Sequence, residues 1–142
     1  MITSKKLPEN GNISPKATTA GDLAGNPLPP LVDALRAFAA ERAWEQFHTP
    51  KNLACALSVE AAELLEHFQW LTEAQSQALT VGKKAEVAAE AADVFLYLLQ
   101  LCDKLGIDLI AAAHAKMQVN AEKYPAALAR GTAAKYTDLS PE

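Results

Sequence analysis

From Pro30 to Pro125 apolar residues recur at three- and four-residue spacing, and only Pro50 interrupts the run. That period places apolar side chains on one face of an α-helix and excludes the alternation of a half-buried strand. The core available to such helices is unusual. The chain holds 29 alanines, whereas aromatic residues make up only 6% of it. Alanine is the strongest helix former but contributes little buried area, so the helices must approach closely and bury Leu and Val between them. With 142 residues, half of them hydrophobic, the sequence predicts one all-α domain built on a four-helix bundle.

Four main helices follow from the pattern. The first is expected from Leu31 to Phe47, with Leu35, Phe38 and Ala39 as its apolar stripe. Thr49-Pro50 supplies a capping hydroxyl followed by proline at the first helical position. The second helix is therefore expected over Pro50–Trp70, with Leu53, Leu57, Leu64 and Phe68 inward. Thr72 and Gln75 form a capping-box pattern for a short helix that Gly82 would end. The third main helix runs from Lys83 to Gly106 with Val87, Val94, Leu98 and Leu101 inward. Asp108 caps the fourth, which carries Ile110, Ala113, Met117 and Ala121 and ends by Tyr124, before Pro125.

Five of the eight prolines and three of the six glycines fall within residues 1–30, so residues 1–28 are expected to form a flexible arm. The helical domain then spans 29–125, and residues 126–142 form a loosely docked tail. Cys55 and Cys102 lack CxxC pairing or zinc-spaced histidines and are expected as core residues. Net charge is −4, which disfavours a nucleic-acid partner. The longest apolar run, Val94–Leu99, is too short to span a bilayer, and no secretory signal follows Lys5 and Lys6. A cytoplasmic protein is the expectation.

The chemistry is concentrated in two motifs. Glu60-Ala-Ala-Glu63 on the second helix and Glu90-Ala-Ala-Asp93 on the third each place two carboxylates on one side of a helix. Leu57 and Leu64 bracket Glu60, while Val87 and Val94 bracket Glu90, so both pairs border apolar stripes; none has Lys or Arg at i+4. Antiparallel packing would bring four negative charges into one partly desolvated cleft. Such a cluster is tolerated only if protonated or neutralised by cations. Oxygen-only ligands select hard ions, so Mg²⁺ is expected, with Mn²⁺ able to substitute. A carboxylate-held Mg²⁺ at a bundle mouth points to phosphate ester or anhydride chemistry. Glu66 and Glu86 extend the acidic rows more peripherally. A di-iron carboxylate bundle would need Glu-x-x-His on two helices, and neither His67 nor His114 stands at that offset.

The two motifs do not stand alone. ERAWEQFH (Glu41–His48), PKNLACAL (Pro50–Leu57), EHFQW (Glu66–Trp70), DVFLYLL (Asp93–Leu99), KMQVNAEKYP (Lys116–Pro125) and AAKYTDL (Ala133–Leu139) accompany them in order. Together they resemble the all-α nucleoside triphosphate pyrophosphohydrolases of the MazG-like superfamily, dCTP pyrophosphatase branch, over residues 31–139. The resemblance implies cleavage of a nucleoside triphosphate to monophosphate and pyrophosphate, with Glu60, Glu63, Glu90 and Asp93 as metal ligands and catalytic acids. It implies Trp44 and Trp70 at the base, Tyr97 beside the sugar, and Lys116, Asn120 and Tyr124 on phosphate and sugar. Arg130 and Lys135 are candidates to close over the phosphates, and His48, His67 and His114 are structural. It further implies a homo-oligomer, a tetramer over a dimer. Two departures stand out: Leu35 occupies the position of a histidine that contacts the base in dCTP-specific members, and Ala121 follows Asn120 where the branch often has a basic residue. Loss of that histidine removes one hydrogen bond able to discriminate cytosine. A helical adaptor that binds nucleotide without turnover is the alternative reading.

Overall fold

The computed structural model describes residues 27–139. The expected flexible arm therefore lies almost wholly outside the described residues. Six α-helices follow in order: α1 (Leu28–Glu41), α2 (Pro50–Glu66), α3 (Glu73–Gln77), α4 (Val81–Leu105), α5 (Leu109–Lys123) and α6 (Ala126–Ala129). A single 3₁₀ turn covers Tyr136–Asp138, and no strand occurs among the described residues.

The chain divides after Leu105 into two compact units. In the first, α2 packs along α4, and α1 packs on α4 as well. The α2–α4 pair is antiparallel: His67, just past α2, meets Glu86 near the start of α4, while Glu60, further back in α2, meets Glu90 and Asp93 further along α4. Leu53 is 1% exposed, and Ala39, Leu99 and Cys102 are the other buried apolar residues among those described. Leu57, Leu64, Phe68, Val87, Val94, Leu98 and Leu101, expected inward, are half-buried.

Helix starts follow the predicted chemistry. Thr49 accepts a hydrogen bond from the Asn52 amide with Pro50 at the first helical position, and Thr72 and Gln75 make a complete capping box. Helix ends depart from it. The first helix was expected to reach Phe47, yet α1 stops at Glu41 in a Schellman motif: the Trp44 amide donates to the Ala39 carbonyl at 3.0 Å and the Ala43 amide to Ala40 at 3.0 Å. Ala43 takes the left-handed conformation (φ 52°) that glycine usually supplies, so no glycine marks this stop. The second helix ends at Glu66 rather than Trp70, because the Phe68 and Gln69 amides both turn back to the Leu65 carbonyl. Gly82 does not end the short helix. It lies inside the first turn of α4, which Thr80 caps by accepting from the Lys83 amide at 3.2 Å. Gly106 (φ 65°) follows the last residue of α4, as expected of a C-terminal glycine.

Cys102 is buried as expected, and burial raises its thiol pKa. Cys55 is exposed, which corrects the expectation of a core residue. It stands two residues past Leu53, about 200° around the helix, and so faces away from the stripe that Leu53 buries.

In the second unit Asp108 caps α5, accepting from the Ala111 amide at 2.9 Å. The predicted inward stripe of α5 is not covered within the unit: Ile110, Ala113, Met117 and Ala121 are all exposed, Met117 by 67%. The four-residue α6 is too short to cover a fifteen-residue helix. The Tyr124 ring meets Tyr136 edge-on at 6.0 Å between centroids, and the Lys123 ammonium lies 5.2 Å from the Tyr136 ring.

Candidate metal centre

The middle of the α2–α4 pair carries the acids. Glu60 from α2 and Glu90 and Asp93 from α4 each present one carboxylate oxygen, and the three oxygens lie within 4.8 Å of one another. Antiparallel packing thus joins the two motifs across 30 residues of sequence. Glu63, expected in the same set, is exposed, and no oxygen of its carboxylate joins this trio. Its charge is nevertheless felt. Burial raises the Glu60 pKa above its ordinary value of 4.5, and Glu63, Asp93 and Glu90 raise it further.

No cation offsets these charges among the described residues. Lys83 pairs with Glu86 at 3.0 Å, and Arg36 is engaged by Asp33 and Asp103, so neither reaches the trio. Three oxygen donors from two helices, mutually repelling and without a basic partner, are the chemistry of a hard-cation site. No histidine joins them. His67 instead lies 3.8 Å from Glu86, which argues against Glu-x-x-His ligation. Lys83, by hydrogen bond and by charge, holds the Glu86 carboxyl below its usual value.

Tyr97, one turn beyond Asp93, is half-buried; burial, then Glu60 and Asp93, raise its phenol above 10.0. It therefore remains a hydrogen-bond donor at neutral pH. Trp44 is half-buried, its indole edge-on to Phe38 at 5.8 Å and to His48 at 6.2 Å. Burial pushes the His48 pKa below 6.5, and Lys104 adds to this while Glu45 opposes it. Trp70 is 86% exposed. The structure does not bring the two indoles together. Trp44 follows the helix that Arg36 pins to Asp103 near the end of α4, whereas Trp70 follows the turn where His67 meets Glu86, about 25 Å nearer the start of α4.

Lys116 and Asn120 are exposed on α5, Tyr124 caps that helix, and Arg130 and Lys135 are exposed beyond it, all in the second unit. Two features of the first unit had no sequence signal strong enough to single out. One is the Arg36–Asp103 pair, a two-point contact between α1 and α4. The other is a cleft between those helices lined by Val32, Leu35, His48, Leu99, Gln100 and Lys104, among others.

Against this geometry, the MazG-like family model matches residues 55–139, a span that includes both acidic motifs. The chain belongs to the MazG-like family. Relatives of this MazG-like chain include rat dCTP pyrophosphatase 1 from Rattus norvegicus, 44% identical over 128 residues, covering 87% of this chain and 75% of the relative. The Homo sapiens dCTP pyrophosphatase 1 is 43% identical over 124 residues, covering 84% and 73%. Among solved structures, a pyrophosphatase from Archaeoglobus fulgidus matches with a TM-score of 0.67 and 46% identity, covering 70% of this chain and 94% of that one. The all-helical MazG-like architecture expected from the sequence is therefore the one observed.

Proposed function

We infer that this MazG-like chain is a nucleoside triphosphate pyrophosphohydrolase. It cleaves dCTP and related pyrimidine or modified deoxynucleotides to the monophosphate and pyrophosphate, removing surplus or damaged members of the nucleotide pool. The observation that carries the reading is the convergence of Glu60 with Glu90 and Asp93 without a basic partner, in a chain 42–46% identical to four proteins named dCTP pyrophosphatase 1.

Glu60, Glu63, Glu90 and Asp93 would hold Mg²⁺, with Mn²⁺ able to substitute. Glu63, exposed one turn beyond Glu60, is close enough for its charge to raise the Glu60 pKa. When bound, the ion screens the triphosphate charge and polarises the phosphoryl oxygens. The carboxylates orient a water in line with the α-phosphorus and take up its proton, which puts the break at the α–β bridge. Tyr97 donates its hydroxyl towards the sugar. Trp44 and Trp70 offer faces for the base, and Lys116, Asn120 and Tyr124, with Arg130 and Lys135, bind sugar and phosphates.

The chain works as a homo-oligomer, a tetramer over a dimer, in the cytoplasm. Two observations support association: the exposed apolar face of α5, and the separation of Trp44 from Trp70, which a second copy would bridge. No helix among the described residues is long and apolar enough to cross a membrane.

The test is incubation with a panel of nucleoside triphosphates and Mg²⁺, with products resolved as pyrophosphate or orthophosphate. Pyrophosphate and monophosphate are expected. Orthophosphate as first product, or bound nucleotide with no turnover, overturns the reading and leaves the adaptor alternative.

A further inference from the structure

The face of α4 that carries Glu90 and Asp93 continues beyond them. Tyr97, Gln100 and Lys104 extend it at alternating steps of four, three and four residues, which keeps all five within about 80° of the helix circumference. Tyr97 stands one turn beyond Asp93 and is half-buried. Three residues further, Gln100 lines the α1–α4 cleft opposite Leu35 and Val32. Asp93 and Gln100 are two helical turns apart, about 10 Å. A nucleotide laid along this stripe with its triphosphate at the carboxylates passes its sugar over Tyr97 and carries its base into the cleft.

The walls there suit a ring face, because Val32, Leu35, Ala39 and Leu99 are apolar. The edge of the base needs polar partners, and the cleft's polar side chains are Arg36, Glu45, His48, Gln100, Asp103 and Lys104. Arg36 and Asp103 hold each other, His48 packs edge-on against Trp44, and Glu45 and Lys104 are exposed. Gln100 is different. Its Nε2 donates only a long 3.5 Å bond to the Leu96 carbonyl of its own helix, and its Oε1 accepts no hydrogen bond among the described residues. A half-buried carboxamide with an open acceptor and weakly used donors is available to pair with a ligand.

We propose that Gln100 is the specificity-determining residue of this enzyme, its carboxamide reading the hydrogen-bonding edge of a pyrimidine held in the α1–α4 cleft. The inference rests on the pyrophosphohydrolase reading above. A carboxamide presents a donor beside an acceptor, so one orientation pairs with the amino group and ring nitrogen of cytosine. The flipped orientation pairs with the ring N–H and carbonyl of thymine or uracil. Gln100 therefore restores, from α4, a polar contact that Leu35 cannot make from α1, and it does so for either pyrimidine.

The experiment compares kcat/KM for dCTP and dTTP, by pyrophosphate release, in wild type, Gln100→Glu and Gln100→Met, with circular dichroism as the folding control. Glutamate keeps acceptors only, which can take the cytosine amino group or the thymine ring N–H but repel the cytosine ring nitrogen and the thymine carbonyl alike. The KM for both nucleotides is expected to rise at least about tenfold in Gln100→Glu, because each base exchanges one hydrogen bond for a repulsion. In Gln100→Met the KM for both nucleotides is expected to rise. Folded variants whose KM values for both nucleotides stay within about twofold of wild type overturn the role of Gln100 while leaving the pyrophosphohydrolase reading in place. A wild-type protein that releases no pyrophosphate from any nucleotide removes that reading and this inference with it.

Discussion

Glu60 on α2 and Glu90 on α4 stand 30 residues apart in sequence, yet their carboxylate oxygens come within 4.8 Å of each other beside a third from Asp93. Burial and three neighbouring acids raise the Glu60 pKa, so its charged form is less favourable there than in water. Such charges are stabilised when a divalent cation binds, and the binding energy is available for holding a triphosphate in place.

Replacing one carboxylate by its amide isolates that contribution. Glu63→Gln is expected to leave the helix content unchanged while lowering kcat about 100-fold or more, equivalent to roughly 2.7 kcal/mol of transition-state stabilisation. Steady-state pyrophosphate release checks this, and a variant within a few-fold of wild type would remove Glu63 from the site.

Ala43 sits at φ 52° in the Schellman motif that ends α1 and turns Trp44 back onto Phe38. Glycine adopts that conformation without the Cβ clash, although it adds entropy to the unfolded chain. Ala43→Gly should therefore stabilise the protein by about 0.5–1 kcal/mol. Thermal unfolding at fixed protein concentration reads this as a rise in Tm; an unchanged or lower Tm contradicts it.

Arg36 donates two hydrogen bonds to Asp103, one of 3.0 Å from Nε, and ties α1 to the end of α4. The Arg36 side chain is 59% exposed, so solvent screening limits the gain. A double-mutant cycle with Arg36→Met and Asp103→Asn is expected to give a coupling of about 1 kcal/mol, shrinking in high salt. Zero coupling would show that α1 is held by apolar packing alone.

His48 supplies a pH test. Burial, followed by the Lys104 charge, lowers its pKa from 6.5, and Glu45 opposes only in part. The unfolded chain therefore binds the proton more readily than the folded one. Stability from this group is complete above 6.5 and is lost as pH falls through 6.5 towards the lower folded value. The Tm of wild type should drop more between pH 7.5 and 5.5 than that of His48→Gln. Parallel curves would show that His48 does not change protonation on folding.

Helix starts were legible because capping chemistry is local: Thr49, Thr72 and Asp108 each meet an amide three residues on. The end of α1 was not legible, since an alanine occupies the left-handed position where a glycine would have signalled it. The acidic centre was visible as two motifs of matching polarity, and antiparallel pairing of α2 with α4 is what joins Glu60 to Glu90 and Asp93. Cys55 illustrates the limit of pattern alone. It sits within an apolar run, yet its phase relative to Leu53 turns it to solvent. The Arg36–Asp103 pair spans 67 residues, a separation at which charge spacing in the sequence carries no information about contact.

Binding of Mn²⁺ to metal-free protein, followed by electron paramagnetic resonance, tests the metal centre most directly. Wild type should show saturable binding that Mg²⁺ displaces, while Glu90→Gln and Asp93→Asn should weaken it about 100-fold or abolish it. Absence of saturable binding in wild type, or equal affinity in the two variants, would contradict a cation held between α2 and α4.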